Sequence, residues 1–138
     1  MKEIKTETRL ENIEMITEFV NDELEAMGCS ESARIKIDIA LDEIFSNIVK
    51  FAYGDEIGMV TVRMDSPEDR PDEITISFHD SGTPFDPLTA KEPDITLPAS
   101  ERKKGGLGLF IVKKTMDEVR YEYRDGQNNL TFRKKVQE

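Results

Sequence analysis

Ile37-Asp-Ile-Ala-Leu-Asp-Glu-Ile-Phe-Ser-Asn47, running on to Tyr53, is the stretch whose reading decides the fold. Ala33, Ile37, Ala40, Leu41, Ile44, Ile48 and Phe51 recur at helical spacing and form an apolar stripe wide enough to dock on a sheet. Glu43 and Asn47 stand at i and i+4, so their side chains lie one above the other on the same helix. A carboxylate that takes a proton, one turn from an amide that holds a metal ion, suits phosphoryl transfer. A solvated helix surface produces the same pair, so the rest of the chain has to decide.

Working outward toward the N-terminus, Ser30 is placed to cap this helix and Gly28 to end the one before it. That earlier helix starts at Leu10 and shows Leu10, Ile13, Ile16, Val20 and Leu24 on one face. Residues 2–8 alternate and read as a short strand. On the C-terminal side, Val60, Val62 and Met64 alternate with Thr61 and Arg63, and Ile74, Ile76 and Phe78 alternate with Thr75, Ser77 and His79. The polar turn of residues 66–72 makes these two runs an antiparallel hairpin. Residues 81–104 have no period and hold four of the six prolines, Pro84, Pro87, Pro93 and Pro98. A loop of that length in a small domain reads as a lid, here about 83–104, with a disordered insertion as the alternative. Leu107–Met116 is helix-compatible, and Val119–Arg124 and Leu130–Lys135 are strands joined by a turn over 125–129. The order β-α-α-β-β-lid-α-β-β predicts an α+β two-layer sandwich: a mixed, mostly antiparallel sheet with three helices on one face.

Composition bounds the function. A chain of 138 residues fits one domain, 1–138. The net charge of -10 argues against nucleic acid as the main partner, because phosphate binding is driven by Lys and Arg. The single cysteine, Cys29, leaves no internal disulfide and no cysteine metal site. No apolar run approaches the ~20 residues of a membrane helix, and the N-terminus lacks the apolar core of a signal peptide. The expectation is a cytoplasmic protein with no membrane partner.

Two further stretches carry chemistry. In His79-Asp-Ser-Gly-Thr-Pro-Phe-Asp86 an apolar strand delivers Asp80 to a turn at Gly82. A carboxylate there can accept a hydrogen bond from an exocyclic amine such as adenine's, and glycine lets main chain approach a flat ligand. An ordinary Asp-x-Gly turn looks the same. In Lys103-Lys-Gly-Gly-Leu-Gly-Leu109 the glycines stand just before a helix, where free N–H groups and the helix dipole favour phosphate. Neither the dinucleotide fingerprint nor the P-loop fits this order. His79, the only histidine, lies in the strand before Asp80 and takes no chemical role.

Taken together and in order, the three stretches resemble the GHKL, or Bergerat-fold, ATPases. Glu43-x-x-x-Asn47 matches the N box, Asp80-x-Gly82 the G1 box and Gly105-Gly-Leu-Gly108 the G2 box. Within that superfamily the chain is most similar to the anti-sigma-factor serine/threonine kinases. That style is visible in residues 41–53, 80–87 and 105–117, and the resemblance runs from about residue 8 to 135. It implies ATP and Mg²⁺ as cofactors, with Asn47 on the metal, Asp80 on the adenine amine and Gly82 under the base. It also implies that Gly105, Gly106, Leu107 and Gly108 present backbone N–H groups to the phosphates. Lys50 resembles the lysine that related histidine kinases point at phosphate, and Arg102, Lys103 and Lys104 are placed to neutralise γ-phosphate charge from the lid, although a solvated charge run looks the same. Glu43 becomes the general base, drawing a proton from a partner's serine or from water. The implied partners are an anti-sigma-factor antagonist of the STAS type and a sigma factor, and a homodimer is typical of the family. Two other readings stay open: a non-catalytic module whose lid senses ATP, and a conformational ATPase, which needs a further transducer domain.

Overall fold

The computed structural model describes residues 1–86 and 106–137, with backbone only at 106–108. Strand β1 (Lys2–Glu7) leads through a single 3-10 turn (Leu10–Asn12) into helix α1 (Ile13–Ala26). Helix α2 (Glu31–Phe51) follows, then strands β2 (Met59–Asp65) and β3 (Glu73–Asp80). Helix α3 (Gly106–Thr115) and the hairpin β4 (Glu118–Arg124) and β5 (Gln127–Lys135) complete the order expected from the sequence.

Local chemistry sets the helix ends. The Ser30 hydroxyl accepts from the Ala33 N–H at 3.2 Å, so the expected N-cap of α2 is present. Helix α1 ends where Gly28 turns left-handed, at φ +68°. The Gly28 N–H bonds to the Glu25 carbonyl and the Cys29 N–H to the Leu24 carbonyl, both at 3.0 Å. That pattern, six-to-one and five-to-two, uses carbonyls the helix end would otherwise leave open.

The five strands form one sheet in the order β1-β2-β3-β5-β4. All four pairings are antiparallel, so the expected mixed sheet is antiparallel throughout the described residues. The β4–β5 turn is also tighter than expected. It consists of Asp125 and Gly126 alone, at φ +54° and +76°, the two positive angles a two-residue hairpin turn requires. Strand β5 therefore begins at Gln127, three residues before Leu130.

The period-two pattern places Val60, Val62, Met64, Ile74, Ile76, Phe78, Leu130 and Phe132 under the helices. Ile16, Val20 and Leu24 of α1, Ile37, Leu41, Ile44 and Phe45 of α2, and Val112 and Met116 of α3 close the core from above. Phe45, Phe78 and Phe132 are fully buried, each contributing about 1.5–3 kcal/mol. The opposite sheet face is polar. There Arg63 pairs with Glu3 at 2.9 Å and Arg133 with Glu73 at 2.9 Å. The stripe on α2 does not stay in the core to its end: Ile48 is half-buried and Phe51 is 45% exposed. Leu10 likewise leaves the α1 face and is exposed.

Candidate functional site

Where the α2 stripe leaves the core, it becomes one wall of a cleft that opens to solvent. Ile44, Ile48 and Phe51 of α2 face Phe78 of β3, Leu130 of β5 and Leu109 of α3. The polar groups among the lining are Asn47, Asp80, Thr83, Tyr121 and Asn128. An apolar slot with a few convergent polar groups is the usual form of a small-molecule site.

The end of α2 is fastened to the loop after β3, and this sets the distance between the two halves of the site. The Tyr53 hydroxyl donates to the Met59 carbonyl at 2.6 Å and accepts from the Ser81 N–H at 2.9 Å. The Thr83 N–H donates to the Ala52 carbonyl at 2.7 Å. Gly82 sits against that same peptide. A Cβ there would lie 2.7 Å from the Ala52 Cβ and 2.5 Å from its carbonyl carbon, with the oxygen closer still. The close approach at Gly82 is therefore to the main chain of α2, and Gly82 does not line the cleft.

Asp80 ends β3 at the cleft floor and is 4% exposed. Its Oδ1 accepts from the Gly82 N–H and from Asn128 Nδ2, both at 2.9 Å. Oδ2 accepts no hydrogen bond among the described residues. Asn47 also lines the cleft, half-buried, and its carboxamide has no hydrogen bond among the described residues. Glu43, one turn earlier on α2, is half-buried and lies outside the lining. Lys50 is exposed and makes no ion pair among the described residues. Helix α3 starts at Gly106, so the amides of Gly106, Leu107 and Gly108 belong to its first turn, where N–H groups lack intrahelical partners. Leu109, next in line, touches the cleft. Lys104, Gly105 and most of the expected lid, 87–104, lie outside the described residues.

Four site residues escaped the sequence reading. Asn128 pairs with Asp80 across β5 and β3, and Tyr121 lies on β4. The Tyr121 hydroxyl donates to Asn128 Oδ1, and the Phe85 N–H reaches both Asn128 Oδ1 and the Tyr121 hydroxyl at 3.2 Å. Burial pushes the Tyr121 pKa above its ordinary value; the Phe85 N–H opposes this, while Asp86 and Asp80 add to it. Phe85 stacks on Phe51 with ring centroids 5.3 Å apart, and both rings are 45% exposed. The signal for Asn128 was its alternation with Leu130 and Phe132, hidden when 125–129 is read as one turn.

The residues present fit a nucleotide. The buried carboxylate keeps one oxygen for a donor, apolar walls suit a flat base, and an uncommitted amide lies on the same side as a helix start. Among the described residues no three His, Cys, Asp or Glu side chains cluster as a metal site. Mg²⁺ needs no such cluster, because it keeps several waters and takes few protein ligands beside phosphates.

The cleft is thus set between a helix layer and an antiparallel sheet. The family model described as the histidine kinase-like ATPase domain matches residues 6–134, and the chain belongs to that family. Among curated relatives, a serine-protein kinase RsbW of Listeria monocytogenes is 36% identical over 104 residues, 72% of this chain and 64% of that protein. The RsbW of Bacillus mycoides is 27% identical over 132 residues, 93% of this chain and 81% of its own length. The chain thus spans just under two thirds of the Listeria relative. The solved structure of the RsbU and RsbW domains of Rv1364c from Mycobacterium tuberculosis superposes with a TM-score of 0.67 at 15% identity, covering 99% of this chain and 33% of that one. The catalytic domain of histidine kinase ThkA gives 0.52 at 19% identity, over the full length of both. Those two likenesses speak to the fold. No helix among the described residues is long and apolar enough to cross a membrane.

Proposed function

We propose that this protein is an ATP-dependent serine/threonine kinase that works as an anti-sigma regulatory factor. The observation that carries the reading is the cleft holding Asp80 and Asn47, with Glu43 one turn up the same helix. The names of the RsbW relatives support the choice of a serine on a protein as acceptor. In this reading Asp80 accepts the adenine amine and Asn47 provides an oxygen to Mg²⁺. The amides of Gly105, Gly106, Leu107 and Gly108 receive the phosphates, and Lys50 and Lys104 add positive charge. A magnesium ion held by Asn47 would supply positive charge beside the phosphates during transfer. Glu43 takes the proton of the incoming serine hydroxyl. The substrate is a STAS-type antagonist and the alternate partner a sigma factor, in the cytoplasm, with the kinase as a homodimer.

The test is transfer of labelled γ-phosphate to a purified STAS-type antagonist. Glu43→Gln should lower the rate at least about a hundredfold, the contribution of a general base, with nucleotide affinity unchanged. Undiminished transfer removes Glu43 from the role. A second reading has one observation in its favour: Glu43 stands outside the cleft lining. On that reading the protein is a non-catalytic module in which ATP sets affinity for a partner, and wild-type protein binds ATP without phosphorylating any antagonist.

A further inference from the structure

Asn128 is 7% exposed, and each hydrogen-bonding position of its carboxamide is engaged. Its nitrogen donates to Asp80 Oδ1 at 2.9 Å and to the Thr83 carbonyl at 3.0 Å, with the Gly82 carbonyl at 3.5 Å. Its oxygen accepts from the Phe85 N–H at 3.2 Å and from the Tyr121 hydroxyl. The nitrogen's neighbours can only accept and the Phe85 N–H beside the oxygen can only donate, so a flipped amide would lose those bonds. One side chain of β5 thus gathers the end of β3, the 83–86 segment and, through Tyr121, strand β4.

The consequence falls on Asp80. Both hydrogen bonds that it accepts land on Oδ1, from the Gly82 N–H and from Asn128. They fix the plane of the carboxylate and leave Oδ2, on a side chain that lines the cleft, without a partner among the described residues. A carboxylate free to rotate would turn its oxygens out of line with the amine and gain less from a ligand that carries one. We infer that Asn128 is a positioning residue for nucleotide selection: it locks Asp80 so that Oδ2 demands an exocyclic amine, and the Tyr121 hydroxyl locks Asn128 in turn. This rests on the nucleotide reading proposed above. A merely structural Asn128, pinning the β5 strand to the 83–86 segment, would support all nucleotides equally. A positioning Asn128 supports only those that carry the amine.

That difference is measurable by titration calorimetry on the full chain in magnesium buffer, with ATP and with purine riboside triphosphate, the same nucleotide without its amine. Wild-type protein should prefer ATP by about tenfold or more, because the analogue leaves a buried oxygen without a donor. Asn128→Ala should reduce that preference to about threefold or less, mainly by weakening ATP. Tyr121→Phe, which removes one oxygen atom, should fall between the two. A preference that survives unchanged in both variants overturns the inference. If Asn128→Ala does not fold, as judged by circular dichroism, Tyr121→Phe decides alone, and an unchanged preference there overturns it. Wild-type protein that binds both nucleotides equally overturns the inference and the role of Asp80 on the adenine amine, while leaving nucleotide binding itself intact. Wild-type protein that binds neither overturns both.

Discussion

Adding one methyl group at Gly82 should destabilise this protein by forcing apart two main-chain segments. Gly82 is not in the left-handed region, so backbone strain plays no part. The new Cβ would meet the Ala52 carbonyl carbon at 2.5 Å and the Ala52 Cβ at 2.7 Å, with the carbonyl oxygen nearer still. These are atoms of the α2 cap, which no side-chain rotation can move aside. Overpacking of this kind costs about 1–3 kcal/mol. Separating the two segments also strains the 2.7 Å bond from the Thr83 N–H to the Ala52 carbonyl, worth about 1 kcal/mol. Gly82→Ala should therefore lose about 2–4 kcal/mol, a fall of roughly 10 °C in Tm for a domain of this size. Gly54→Ala is the control: φ is +63° and nothing lies within 4 Å, so only strain of about 1 kcal/mol applies. The assay is urea unfolding, with the midpoint lowered and the slope unchanged. A loss at Gly82 no larger than that at Gly54 would refute the close approach, and with it the account of how α2 and β3 are held together at the site.

Two smaller perturbations check other parts of the structure. Ser30→Ala removes the acceptor for the Ala33 N–H and should cost about 1 kcal/mol in the same assay, whereas Ser30→Gly should cost only a few tenths. His79 lies half-buried on the open sheet face, with Nε2 2.7 Å from Ser77 Oγ and Nδ1 against Asn129 Oδ1. Burial lowers its pKa below the ordinary 6.5 and Arg63 lowers it further, while the Asn129 bond, Glu3 and Asp80 oppose this. Because the folded value lies below the unfolded one, the unfolded chain binds more protons between them. The stability contribution is complete above pH 6.5 and is lost as pH falls through the folded value. His79→Gln should flatten stability against pH in that window, and an unchanged slope would contradict the assignment.

The parts of the fold that follow from periodicity were legible in the chain. The α2 stripe from Ala33 to Ile44, the alternation of β2 and β3, the Ser30 cap and Gly28 all depend on near neighbours, and each stands where the pattern puts it. Asn47 and Asp80 were legible as a pair only through the order of their motifs, and the fold brings both to one cleft. What was not legible is tertiary. Helical spacing cannot tell a residue that packs in the core from one that walls a cleft, so Phe51 was assigned to the wrong surface. An Asp-x-Gly pattern announces a turn but not what fills the space beside its glycine, which here is the Ala52 peptide. A turn read as five residues rather than two concealed Asn128, and with it the network that holds Asp80.

The central claim is that the cleft binds a nucleotide through Asp80. Thermal unfolding of wild type and Asp80→Asn, each with and without Mg-ATP, tests it most directly. At a hundredfold excess over Kd a ligand adds about 2.7 kcal/mol, which should raise the wild-type midpoint by roughly 10 °C. The account predicts that shift in the wild type and its loss in Asp80→Asn. No shift in the wild type, or an equal shift in both proteins, would contradict it.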